Sequence, residues 1–77
     1  MIDWSEYDHD TGTMSGESYP YNFYITKDKD LGGYSWEMYE YDYATGNDEK
    51  IGSGETLTLD EAQRECELEL QKETLIP

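Results

Sequence analysis

The chain has 77 residues, enough for one domain at most, with 19 acids against 5 bases and a formal net charge of −14. That charge argues against direct binding to DNA, RNA or an anionic membrane, each of which is held through Lys and Arg, and favours a basic partner. A domain this small buries only about 60% of the surface its unfolded chain exposes, which leaves little room for an internal active site.

The first ten residues, MIDWSEYDHD, place Ile2 and Trp4 in alternation, the mark of a short edge strand. DTGTMSGES, 10–18, is rich in Gly, Ser and Thr and reads as a loop. YPYNFYITK, 19–27, reads as a strand with Tyr21, Phe23 and Ile25 on one face and Asn22, Tyr24 and Thr26 on the other, begun by Pro20. DKDLGG, 28–33, is a turn, and YSWEMYEYDY, 34–43, a second strand. ATGND, 44–48, closes a hairpin onto a third, short strand, EKIGSGE, 49–55, whose Gly52 and Gly54 point to an edge or a bulge.

The period then changes. Thr58-Leu59-Asp60-Glu61 fits a capping box, with acids at the positive end of the helix dipole. A helix from about 59 to 73 carries Leu59, Ala62, Cys66 and Leu70 on one stripe. There is no internal repeat. The expected fold is α+β: an antiparallel meander of three to four strands, with one C-terminal helix packed on one face of a single domain, 1–77.

The second strand has aromatics on both faces, whereas one helix can cover only one. Trp36 and Met38 go under the helix beside Phe23 and Ile25, with Glu40 and Asp42 continuing that set. Tyr39, Tyr41 and Tyr43, with Tyr24, take the open face, where an aromatic body and a polar tip suit them. A one-residue bulge near Met38 would instead turn the three tyrosines to the core side, and both arrangements stay open on the sequence.

Residues for chemistry are sparse. His9, the sole histidine, lies far along the chain from Cys66, the sole cysteine, which sits on the apolar helix stripe as a small buried thiol. One cysteine allows no internal disulfide. Asp8-His9-Asp10 and Asp28-Lys29-Asp30 place acids at i, i+2, but both depart from the calcium-loop pattern, with Gly12 and Gly32 where its third acid belongs. The expectation is no enzyme, no catalytic residue, no metal and no cofactor. The opening residues lack the basic and apolar regions of a signal peptide, and no apolar run approaches 18 residues, so a cytoplasmic protein is expected.

What stands out is the placing of the acids. Glu61, Glu65 and Glu69 recur at i, i+4, i+8 along one helix flank, about 6 Å apart. Glu40 and Asp42 are about 6.7 Å apart on the second strand. Asp48 and Glu49 extend the group at the hairpin, and Asp3, Glu6, Asp8 and Asp10 form another at the N-terminus. A net charge of magnitude about 2–8 suffices for solubility, so a larger one calls for a compensating advantage, which a basic partner supplies. The partner-binding residues are taken as Glu37, Tyr39, Glu40, Tyr41, Asp42, Tyr43, Asp48, Glu49, Glu61, Glu65 and Glu69.

Residues 34–70 resemble a pattern common in very small bacteriophage proteins. It has an aromatic hairpin (Tyr34, Trp36), a Gly-containing short strand (Gly52, Gly54) and Thr-x-x-Glu-Ala opening a helix (Thr58, Glu61, Ala62). As a class, the chain is similar to the small acidic inhibitors that phages use against host machinery, including DNA-mimicking anti-CRISPR and anti-restriction proteins. The helix start, Glu55 and then Thr58-Leu59-Asp60-Glu61-Ala62, resembles the ETLDEA-type start of a small phage inhibitor of host RNA polymerase. The resemblance implies a protein of the host cytoplasm that blocks a basic nucleic-acid site, with tyrosines as anchors and carboxylates paired to Arg and Lys of the partner. The alternatives are inhibition of RNA polymerase, or a non-enzymatic phage assembly protein that forms a homodimer through the tyrosine face or through Leu68 and Leu75, which lie with Arg64 opposite the core stripe.

Overall fold

The computed structural model describes residues 1–74. Five strands, β1 (Asp3–Trp4), β2 (Thr13–Ser18), β3 (Tyr21–Lys27), β4 (Tyr34–Asp42) and β5 (Asn47–Thr56), form one antiparallel sheet in the order β1-β2-β3-β4-β5. Helix α1 (Leu59–Thr74) returns across one face of this α+β meander. The strand count is five rather than three to four, because residues 13–18 pair with β3 over their whole length instead of forming a loop. Their low strand propensity is overridden by packing: Gly16 lies beneath Trp4 and Ile2, where a Cβ would stand 2.5 Å from Trp4 Cε3 and 2.6 Å from Ile2 Cγ2. β5 is also longer than the expected 49–55, and Tyr43 falls in the turn after β4 rather than in the strand.

The core lies between the helix and one face of the sheet. Phe23, Ile25, Trp36 and Met38 from the two central strands meet Ala62, Cys66 and Leu70 of α1, with Ile2 closing one side. Leu59, Trp4, Met14, Tyr21, Tyr34 and Ile51 pack around this cluster half-buried. Each of the large buried side chains contributes about 1.5–3 kcal/mol. Gly52 and Gly54 lie under the Trp36 ring, and a Cβ on Gly54 would come within 2.6 Å of the indole nitrogen.

A bulge near Met38, left open by the sequence, is present, but its extra residue belongs to β5. Met38 pairs with Gly52 and Tyr39 with Lys50, leaving Ile51 unopposed. β4 stays in unbroken register with β3, so its alternation survives and Tyr39 and Tyr41 remain on the open face.

Three of the four strand connections use one device. Asp8, Asp28 and Asp42 each accept a backbone N–H two residues on, from Asp10 (2.9 Å), Asp30 (2.9 Å) and Ala44 (2.8 Å). Each also takes, on its carbonyl, the N–H of the glycine four residues on, Gly12, Gly32 or Gly46, whose φ lies between 71° and 74°. The sequence thus holds a short repeat, Asp-x-x-x-Gly, where none was expected. The acids that looked like fragments of a calcium loop are turn formers.

Candidate partner-binding surface

Strand register and the position of the helix sort ten of the eleven expected contact residues, all but Tyr43, onto two faces. Glu37, Tyr39 and Tyr41 on β4 point to the open face, and Asp48 joins them opposite Tyr41. Glu40, Asp42 and Glu49 point to the helix side, with Glu40 opposite Glu49 and Asp42 opposite Asn47. The three helical glutamates line the flank of α1 that lies over Trp36 and β5, since Glu65 reaches the Trp36 indole. The eleven therefore form no single patch.

The helical glutamates have structural tasks. Glu61 completes the capping box: its N–H donates to Thr58 Oγ1 (3.1 Å) and its carboxylate accepts from the same hydroxyl (3.0 Å). In the usual box that carboxylate reaches the cap's backbone N–H instead. Glu65 Oε1 accepts the Trp36 Nε1–H at 2.8 Å, satisfying the one polar atom of a ring that is 4% exposed. Glu69 pairs with Lys72 at 3.2 Å. On the other flank Glu67 accepts the Ile2 N–H at 3.1 Å, tying the N-terminal strand to the helix. Partial burial, then Glu40 and Glu73, holds the Tyr21 hydroxyl above its ordinary range.

The open face is different in kind. Tyr24 and Tyr39, on neighbouring strands, meet edge to face with centroids 5.6 Å apart. Tyr41 and Tyr43 do the same at 5.1 Å, and Tyr43 extends the contact to Tyr19 at 6.1 Å. Tyr43 thus joins the tyrosine group from the turn, although it lies outside the strand. Lys50 pairs with Glu37 at 2.9 Å, and that bond holds the Glu37 carboxyl below its ordinary range. The Tyr39 hydroxyl is held up, by partial burial first and then by Glu37.

Sequence reasoning missed three carboxylates of this face. Glu17 pairs opposite Asn22, which pairs opposite Tyr39, and Asp3 pairs opposite Glu17, so both share the tyrosine side. Glu55, opposite Ser35, shares it too. The alternation of residues 13–18 with β3 was the available signal, and the Gly and Ser content hid it.

Comparison with protein-family models, with curated proteins and with solved structures finds no match to this chain.

Among the described residues, no group of three or more His, Cys, Asp or Glu is arranged to hold a metal ion, and no helix is long and apolar enough to cross a membrane. Cys66 is fully buried, and burial, then Glu65, Glu67 and Glu69, pushes its thiol up to about 12. It is therefore held protonated and out of reach of solvent. Leu68 is 49% exposed on the outer face of α1; Leu75 lies outside the described residues.

Proposed function

We propose that this chain is a non-enzymatic inhibitor that occupies the basic nucleic-acid-binding surface of a host defence protein, as a phage anti-CRISPR or anti-restriction protein of the DNA-mimic type would. The observation that carries the reading is the open face: tyrosines fixed edge to face among Asp3, Glu17, Glu37, Asp48 and Glu55, where Lys50 is already engaged by Glu37. Rigid tyrosines bury contact area at low entropic cost. Carboxylates without an internal cation gain most from Arg and Lys of a partner, because binding also relieves the repulsion of a chain at −14.

The test is a pull-down from host lysate with the tagged protein, at low and high salt, with duplex DNA as competitor. Capture of one nucleic-acid-binding protein, released by salt and by DNA, is expected. Glu17→Lys with Asp48→Lys should abolish it, while Glu61→Gln with Glu69→Gln should leave it nearly intact. Capture that ignores salt, DNA and the first pair of substitutions would remove the proposal. Capture of RNA polymerase on the same terms would keep the chemistry and change the target. Self-association that survives high salt would favour the assembly protein instead.

A further inference from the structure

The two edges of the sheet are treated differently. β2 is covered along its length by the N-terminal segment: Asp3 and Trp4 pair with Glu17 and Gly16, Ser5 N–H donates to Ser15 O (2.8 Å), and Asp8 N–H donates to Thr13 O (2.8 Å). β5, ten residues long, pairs with β4 on one side and with no other strand among the described residues.

Which backbone groups of β5 face outward follows from the ladder. Tyr41 N–H donates to Pro20 O (2.9 Å) and Gly33 O accepts from Asp28 N–H (3.0 Å), so the odd-numbered residues of β4 are bonded to β3. In antiparallel strands the N–H and C=O of a residue point to the same neighbour, and successive residues alternate. Tyr34, Trp36 and Met38 therefore bond to β5, through Thr56, Gly54 and Gly52 opposite them. Ser53 and Glu55 are left with N–H and C=O directed away from the sheet, and both residues are exposed.

Sheet edges are commonly blunted by lysine, proline or a bulge. β5 has its bulge at Ile51 and its lysine at Lys50, both on the far side of Gly52 from this stretch, and Lys50 is committed to Glu37. The stretch 52–56, GSGET, has none of these devices. It carries the carboxylate of Glu55, unpaired among the described residues, on the open face, next to Glu37, which is held by Lys50, while Glu65, bound to the Trp36 indole, lies above Gly54 on the helix side. A second copy of the chain, itself at −14, is repelled from this edge, whereas a cationic strand is attracted.

We propose that residues 52–56 of β5 are a strand-addition site for an extended basic segment of a partner protein, with lysine or arginine at alternate positions. The added strand takes the outward N–H and C=O groups of Ser53 and Glu55, and sets its basic side chains against the Glu55 carboxylate. This goes beyond the proposed function, since it uses backbone at the sheet edge rather than the tyrosine face, and the two fail separately.

The probe is the heptapeptide acetyl-TKVKTKV-amide, titrated into the full chain at low salt, with amide hydrogen exchange followed by NMR. Exchange at Ser53 and Glu55 should slow by about tenfold or more, as for amides drawn into a ladder. Ser53→Pro removes one outward N–H without touching the ladder to β4, and should abolish the protection while salt-dependent capture through the tyrosine face persists. Should that variant lose its fold, the same peptide N-methylated at its three lysines, whose N–H groups face β5 in an antiparallel pairing that sets their side chains on the Glu55 face, decides on the unaltered chain, and it should give no protection. Three outcomes would overturn the proposal: binding without protection of Ser53 and Glu55, equal protection by the N-methylated peptide, or protection that appears with protein concentration alone.

Discussion

Glu65 illustrates how a residue counted as one of many surface charges can serve the interior. Its carboxylate accepts the indole N–H of Trp36 at 2.8 Å, and that ring lies across Gly52 and Gly54, which have no side chain to obstruct it. Removing the acceptor leaves a buried donor unpaired, at a cost of about 1–3 kcal/mol. Glu65→Ala should lower stability by that amount in urea denaturation followed by tryptophan fluorescence. Glu65→Gln keeps an amide oxygen in place and should cost much less. Equal losses for the two variants would show that the charge, not the hydrogen bond, is what matters. The spacing of Glu61, Glu65 and Glu69 was legible in the sequence, but their partners were not, because Trp36 is 29 residues away from Glu65 and only the packed helix brings them together.

At the level of elements, most boundaries followed from period and punctuation. The helix was readable because Thr58 and Glu61 announce its start and Ala62, Cys66 and Leu70 repeat at helical spacing. β3 and β4 were readable from alternation. β2 was not, since Gly16 is there to admit Trp4 and Ile2 and contributes nothing to strand propensity. The turn between β3 and β4 sets two adjacent glycines in different situations. Gly32 has φ near 74° with open space around it, and Gly33 has φ near 82° with Thr56 O only 2.7 Å from where a Cβ would stand. Gly32→Asn, which tolerates this backbone, should shift the thermal midpoint little. Gly33→Ala combines the left-handed backbone, about 1–2 kcal/mol, with a clash against β5, and should lower the midpoint clearly more. Equal shifts would mean that the Thr56 contact relaxes without cost.

For the molecule as a whole, charge and alkaline pH act through separate groups. With 19 acids, of which the described ion pairs engage Glu37 and Glu69, self-repulsion outweighs local attraction. Added sodium chloride should therefore raise the melting temperature, and a fall would show that the two ion pairs dominate. The Cys66 thiol, pushed up to about 12 from an ordinary value near 9, stays neutral in the fold at pH values where the unfolded chain ionises it. Its contribution is fully present below pH 9 and is lost as pH rises toward 12, at up to about 1.4 kcal/mol per pH unit. Tyr7, Tyr21 and Tyr39, all raised, act in the same direction. Stability measured against pH should decline on the alkaline side, and Cys66→Ala should make that decline shallower.

By itself the sequence determined the fold class, the alternation of β3 and β4, the helix and its cap, and a surface dominated by carboxylates. These are written in local period, in turn chemistry and in composition, all of which act over a few residues. The tertiary structure decided which strand carries the bulge, that residues 13–18 are sheet, and which carboxylates share a face with the tyrosines. Each of these depends on pairing between segments distant in the chain. A shift of one residue in that pairing exchanges the two faces of a strand, and only the closing of the core over Trp36 and Met38 selects between them.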